Sequence, residues 1–337
     1  VNPLAEAIET LGFANVWAYL GLFLAASLLM VWRLEALLAH GLEGTALGTL
    51  VMPYCSGLGN LIFVTLIASR GTPGHEVLTN CLVNNVTNLT LLLGLPALFW
   101  GLPLGRRKSS GSGSNRKAAA KAETAGQLTR LSLLLTLAAV VFFSGVTWAL
   151  AADGRLDALD GLVLIALFLF WQCFHVFDVL KHNVRQRRHF GPLFYVDVTI
   201  VLLGAGGLYV SIDWLVGWLS AQDGAFINAR NLGWLSGWLM VVPNALLAFF
   251  YAARRRADIA YASQVGDGHI CIPLCLGLSA VLGPITVPAF FTTGLVLLIG
   301  AALVHAVCVL FAEGLPRWMG WPLLAAYAWF VATGLAA

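Results

Sequence analysis

Apolar residues along this chain run in long blocks separated by short polar breaks. Segments of about ten alternating residues, the mark of membrane strands, are absent. The blocks predict ten helical spans at roughly 15–38, 45–69, 76–99, 129–150, 157–181, 193–219, 231–253, 257–284, 286–312 and 317–336. Each is long enough to cross a bilayer, which takes about 20 apolar residues in helical form. The blocks are unequal in polarity. Spans 2–3 and 7–8 carry polar residues where hydrocarbon penalises them, and the other spans mostly do not.

Those two polar pairs share one pattern. Residues 59–98 run from Gly59-Asn60 to Leu91-Leu92-Leu93-Gly94-Leu95-Pro96-Ala97-Leu98. Residues 243–281 run from Pro243-Asn244 to Leu274-Cys275-Leu276-Gly277-Leu278-Ser279-Ala280-Val281. The asparagine precedes the closing glycine by 34 residues in one copy and 33 in the other. Five spans precede residue 190 and five follow it. Five is odd, so the second half enters the membrane from the opposite side. The expected fold is therefore an all-α integral membrane protein of ten transmembrane helices in two inverted five-helix repeats. The halves are 1–190, including a flexible polar loop at 105–128, and 191–337, together one membrane domain. Pro53, Gly57 and Gly59 in span 2 and Pro243 in span 7 are the expected helix interruptions, from which Asn60 and Asn244 approach a midplane site.

Charge placement orients the chain. Of 19 Lys and Arg, 16 fall on one side: Arg33; Arg106, Arg107, Lys108, Arg116, Lys117, Lys121 and Arg130; Lys181, Arg185, Arg187 and Arg188; Arg254, Arg255 and Arg256; and Arg317. Only Arg70, Arg155 and Arg230 fall on the other. The basic side is cytoplasmic, so both termini are expected outside, in a cell (inner) membrane. Val1–Leu11 has Glu6 and Glu9 and no Lys or Arg, which does not read as a signal peptide.

The composition agrees: 59% of residues are hydrophobic and 10% charged, against about a quarter charged in soluble domains. The net charge of +3 comes from the inner loops and reads as contact with anionic lipid headgroups, not nucleic acid. The cysteines (Cys55, Cys81, Cys173, Cys271, Cys275 and Cys308) show neither zinc-site nor disulfide-framework spacing. Lys108–Gln127, with its Ser/Gly run, reads as a linker followed by a short helix at Lys117–Glu123.

The polar positions have helical order. Asn80, Asn84 and Asn88 recur every four residues on one face of span 3, and Ser263, Asp267 and Cys271 do so on span 8. Single asparagines in membrane helices commonly serve as interhelical glue. Asparagines and an aspartate at repeat-related positions point to a polar site instead. Asp267 carries the strongest signal, since a mid-span Asp costs about 2.5–3.5 kcal/mol on insertion scales. A cation, a proton or a hydrogen-bonding partner has to offset that cost. His269 and Cys271 lie near it, as packing residues or soft-metal ligands. His75 and Glu76, at the outer start of span 3, read as an entrance pair or as a solvated helix-start carboxylate. Asp197, His175 and His305 lie inside spans without an assigned role, and Asp160 and Asp178 near interfaces. Trp234, Trp238, Trp318 and Trp321 suit interfacial belts.

At these residues the chain resembles the calcium/cation antiporter superfamily, which includes the sodium/calcium exchangers. The family has ten helices, two inverted halves and a repeat in spans 2–3 and 7–8. The repeat opens G-[ST]-S-x-P-E and continues G-S-N-x-x-[ND] before an L-G ending. Ala257-Asp258-Ile259-Ala260, Val265-Gly266-Asp267 and Leu276-Gly277-Leu278 look most like it. The resemblance places the family's two glutamates on Asn60 and Asn244, and the proline before them on Gly59 and Pro243. The later serine falls on Asn84 and Asp267, and the last amide or acid on Asn88 and Cys271. Hydroxyl positions that would serve sodium fall on Ser56 and Gly57 in the first repeat, and on Met240 and Val241 in the second. The scaffold is kept and its usual ligand set is altered.

Together these readings give an ion- or substrate-binding set of Asn60, Asn84, Asn88, Asn244, Asp267, Ser56, Asn80, Ser263 and Cys271. Asp267, Asn60, Asn244 and Asn88 are the candidate metal ligands, and there are no catalytic residues or cofactors. Calcium takes six to eight oxygens, several from carboxylates. One carboxylate would leave a bound divalent ion with net positive charge in a low dielectric, whereas a monovalent ion would be neutralised. The expected activity is antiport of a small cation by alternating access, Na+, K+ or H+ coupled rather than Ca2+. The alternatives are a Ca2+/cation exchanger as in the family, a transport-inactive relative acting as a binding or accessory subunit, and an intramembrane enzyme, for which no nucleophile–base constellation is evident.

Overall fold

The computed structural model describes residues 15–39, 52–104, 116–183 and 191–336. Eight of its helical segments are long and apolar enough to cross a membrane, and Gly57–Ser69 and Ala158–Cys173 are shorter apolar helices. Together they account for all ten expected spans. Spans 1 and 2 are Val16–Ala39 and Met52–Ser69, and residues 45–51 of span 2 lie outside the described residues. Span 3 is His75–Leu89 followed by Leu91–Trp100. Spans 4 to 7 are Arg116–Leu150, Ala158–Asn183, Pro192–Ser220 and Leu232–Ala253. Span 8 runs from Ala257–Ile270 through a wide turn at Cys271–Cys275 into Leu276–Leu282. Spans 9 and 10 are Phe291–Phe311 and Gly320–Ala336. The helix expected at Lys117–Glu123 is present and continuous with span 4. The Ser/Gly run before it lies outside the described residues.

The helix interruptions fall elsewhere than expected. Met52–Ser69 is continuous through Gly57 and Gly59, and Leu232–Ala253 is continuous through Pro243. The breaks are in spans 3 and 8, at Thr90 and at the Cys271–Cys275 π-turn. Pro273, inside that turn, has no N–H to give the helical ladder, and π-turns accommodate such a gap. The glycines of span 2 serve close packing instead: a Cβ on Gly59 would lie 2.8 Å from Met240 Sδ.

The chain forms two compact units, each drawing on both sequence halves. The first is Val1–Asn84, Leu150–Pro243 and Ile270–Pro288, and the second is Asn85–Ala149, Asn244–His269 and Ala289–Ala337. In the first, span 1 packs along span 6, with Tyr19 stacked on Trp214 at 4.2 Å. Asp197, unexplained in the sequence, accepts a hydrogen bond from Arg33 Nη1 at 3.1 Å, an ion pair between the same two helices. Asp160 closes a reciprocal cap at the start of span 5, where Asp157 N–H donates to Asp160 Oδ2 and Asp160 N–H to Asp157 Oδ1. Arg155–Leu156 pairs antiparallel with Ile285–Thr286. In the second unit, Leu91–Trp100 packs on span 10, Arg130 pairs with Glu313 at 3.0 Å, and Leu102–Pro103 pairs antiparallel with Gly314–Leu315.

The repeat is visible inside each unit. Loop 4–5 pairs with loop 8–9 in the first, and loop 9–10 with loop 3–4 in the second. Exchanging the sequence halves converts one pairing into the other, and each joins loops that ten crossings place on one side. The closing glycines of the two motifs follow the same rule. Gly94 abuts Gly320 at the start of span 10, and Gly277 abuts Gly161 at the start of span 5. A Cβ on Gly277 would lie 3.0 Å from Gly161 O, and one on Gly94 would lie 3.3 Å from Gly320 O. Outward faces carry large apolar side chains, including Trp17, Phe170, Phe311, Trp318 and Trp321, as a lipid-facing surface requires. Trp234 departs from the belt expectation: it is buried, 5.5 Å from the ring of Trp238.

Candidate ion-binding site

The second unit holds the carboxylate. Asp267 is completely buried on span 8 and accepts at Oδ2 from two side-chain amides: Asn88 Nδ2 at 3.1 Å, and Asn244 Nδ2 at close range. Both amides donate to one carboxyl oxygen, so Asn88 and Asn244 together fix the position of this buried group. Asn88, Asn244 and Asp267, three of the four candidate metal ligands, thus come together. Ser263, one turn earlier, donates to Ala260 O at 3.1 Å and accepts from Gln264 Nε2 at 2.9 Å. Gln264 also donates to the backbone carbonyl of Asn244 at 3.1 Å. Gln264 was not legible as a site residue, because only the fold supplies its partner.

The first unit holds the other members. Asn60, fully buried on span 2, donates to Cys271 Sγ at 3.1 Å, and Cys81 Sγ donates to Cys271 O at 3.4 Å. Asn60 therefore meets the π-turn of span 8, and Cys81 binds a carbonyl of that turn. Asn80 donates to Ser236 Oγ at 3.0 Å, and Ser236 donates onward to Gly233 O at 3.2 Å. Asn80 is engaged with span 7 rather than with another candidate. The side-chain oxygens of Asn60 and Asn80 accept no hydrogen bond among the described residues. Asn84 is buried on the same helix. Ser56 lies in Met52–Ser69, but its side chain, like those of His269, His175 and Asp178, falls outside the described residues.

Two other buried polar groups have structural partners. Glu76 is not a solvated helix-start carboxylate. It is buried, its Oε2 accepts from the backbone N–H of Gly233 in the first turn of span 7, and its Oε1 lies 3.3 Å from His75 Nε2. Gly233 leaves room for this, since a Cβ there would lie 2.6 Å from Glu76 O. His305 Nε2 lies 2.7 Å from Leu89 O, and Tyr261 OH lies 3.0 Å from His305 Nδ1. The carbonyl can only accept, so Nε2 carries the proton and Nδ1 accepts from the tyrosine. This neutral histidine binds a carbonyl beside the break in span 3.

Among the described residues no group of three or more His, Cys, Asp and Glu side chains is placed to hold a metal ion. The groups that meet at Asp267 are its carboxyl group and the side-chain amides of Asn88 and Asn244.

These features define a class: ten helices in an inverted repeat, with buried amides and a fully buried aspartate on the repeated pairs, is the build of a secondary cation transporter. The sequence profile described as sodium/calcium exchanger protein matches residues 11–177. No curated protein matches the chain in sequence. Solved structures of the sodium-calcium exchanger NCX_Mj share its fold. One, soaked with 2.5 mM Na+ and 1 mM Sr2+, superposes with a TM-score of 0.67 at 17% identity, covering 94% of this chain and 96% of that one. Another, soaked with 10 mM Na+ and zero Ca2+, gives 0.65 at 17% identity over 94% of this chain and 99% of that one. A third, soaked with zero Na+ and Ca2+, gives 0.63 at 17% identity over 95% and 99%. The chain is thus sodium/calcium exchanger-like: residues 11–177 match that family's model, and its membrane-spanning fold is that of NCX_Mj. That family consists of transporters, not enzymes.

Proposed function

We propose that this protein is a secondary active antiporter that moves a monovalent cation, Na+, K+ or H+ coupled, by alternating access. The observation that carries this reading is the environment of Asp267, one buried carboxylate held by the side-chain amides of Asn88 and Asn244. The positions matching the family's two glutamates are Asn60 and Asn244, so charge there is low. A single negative charge neutralises Na+, K+ or H+, whereas Ca2+ would keep a net positive charge in a medium where that is costly. Asn60, Asn80, Asn84, Ser56, Ser263 and Cys271 are the remaining candidate binding residues of the repeated spans. The membrane is the cell membrane, with both termini outside and the basic inner loops on anionic headgroups.

The test is flux in sealed proteoliposomes under imposed Na+, K+, H+ or Ca2+ gradients. Uptake driven by a monovalent gradient, and lost in Asp267→Asn, is the expected result. Absence of all flux alongside intact folding would favour the second reading, a transport-inactive relative acting as a binding or accessory subunit. The replacement of both family glutamates by asparagine is the observation that favours it.

A further inference from the structure

We propose that Gln264 is an oxygen ligand of the cation bound at Asp267; this rests on the monovalent-cation reading above. Gln264 is fully buried on span 8, one helical turn before Asp267. Its amide orientation is fixed by its neighbours. Nε2 is 3.1 Å from the backbone carbonyl of Asn244, which can only accept, so the nitrogen must point there. The second N–H meets Ser263 Oγ at 2.9 Å, and that hydroxyl already gives its proton to Ala260 O. Both amide hydrogens are engaged, and Oε1 is left buried with no hydrogen-bond partner among the described residues. A buried carbonyl oxygen in that state destabilises the empty protein. A cation offsets that effect in the loaded protein.

The position suits the role. Residues three apart on a helix place their Cβ atoms about 5–6 Å apart, a span that one dehydrated alkali ion bridges through two side-chain oxygens. Asn244 links the pair physically, since its backbone carbonyl holds Gln264 and its side-chain amide holds Asp267. Gln264 adds a hard, neutral oxygen without adding charge, which keeps the site matched to a monovalent ion. The family's motif positions on span 8 do not include residue 264, so this ligand is a departure of this chain from the motif.

The experiment is sodium chloride and potassium chloride titration of the purified protein in lipid nanodiscs, with choline chloride holding ionic strength. It is read by thermal shift and by calorimetry. For whichever ion stabilises the native protein, Gln264→Leu weakens apparent affinity at least tenfold. Gln264→Asn, which retracts the oxygen by one methylene, also weakens it, and Gln264→Glu, which keeps an oxygen in place, binds. Asp267→Asn loses the effect. Native-like affinity in either Gln264→Leu or Gln264→Asn, with Asp267→Asn still defective, overturns the role of Gln264 and leaves the Asp267 reading standing. If Gln264→Leu does not fold, the Asn and Glu variants decide between these outcomes. No effect of either ion on native protein overturns both.

Discussion

Asn244 on span 7 donates its side-chain amide to Asp267 Oδ2 on span 8, and its backbone carbonyl receives the amide of Gln264. One residue therefore fixes both a carboxylate and a neutral oxygen donor. Asn244 stands where the resemblance places a family glutamate. A glutamate there would present a second negative charge to Asp267, whereas asparagine presents a hydrogen-bond donor. Asparagine at this position supports the buried Asp267 carboxyl group with a donor.

The first prediction follows from that contact. Asp267→Asn keeps the side-chain shape and can still exchange hydrogen bonds with Asn88 and Asn244, so folding should persist. Ion-dependent thermal stabilisation and flux should fall at least tenfold, about 1.4 kcal/mol in binding. Melting curves in the presence and absence of the ion, with flux in vesicles, measure both. Unchanged ion dependence removes Asp267 from the site.

Much of this was legible in the sequence, for definite reasons. Hydropathy fixes the spans because lipid allows only helices or closed barrels, and the alternation a barrel needs is absent. The Gly94 and Gly277 endings marked the repeat, and both glycines turn out to pack against the first residues of the last span in the opposite half. Asp267 stood out by its insertion cost alone. Local signals failed where tertiary packing decides. Gly57, Gly59 and Pro243 read as helix breakers, yet their helices run on, and the breaks sit at Thr90 and Cys271–Cys275. Gln264 and Ser236 matter through partners 20 and 156 residues away, distances at which helical periodicity carries no information. Glu76 read as exposed because nothing near it in sequence announces the Gly233 N–H that it caps.

That cap gives a second prediction. Glu76→Ala leaves the first turn of span 7 without its carboxylate acceptor and opens space against Gly233. Loss of such a cap costs about 0.5–2 kcal/mol. Thermal or denaturant unfolding should show a decrease of that size. Glu76→Gln, which still offers an oxygen to Gly233 N–H, should lie between Ala and native. Equal stability of all three forms would show that the contact contributes nothing.

A third prediction concerns orientation. The 16-to-3 division of Lys and Arg puts the loop at Arg254–Arg256 inside and Arg230 outside. In a Cys173→Ser background, which removes an exposed thiol, Arg230→Cys should react with a membrane-impermeant maleimide in intact cells. Arg255→Cys should react only after permeabilisation. The reverse pattern inverts the topology and moves both termini to the cytoplasm.

The last prediction tests charge matching directly. With one carboxylate at Asp267 and asparagine at both family glutamate positions, the native protein should bind calcium weakly. Asn244→Glu brings a second carboxylate against Asp267, and Asn60→Glu restores the other family acid. Asp267 and a glutamate at 244 together carry two charges, enough to neutralise a divalent ion. They also raise the repulsion within the empty protein, so the double variant should be less stable without ion and regain stability in calcium. Calorimetry and melting with calcium chloride on native, Asn244→Glu and Asn60→Glu/Asn244→Glu proteins measure both effects. The expected order of calcium affinity is native, then single, then double variant, with the largest calcium-dependent gain in melting temperature in the double. Tight calcium binding by the native protein would falsify the monovalent reading and return the chain to the family's usual activity. Weak binding throughout, with no response to sodium or potassium, would favour a relative that has lost transport and kept the scaffold.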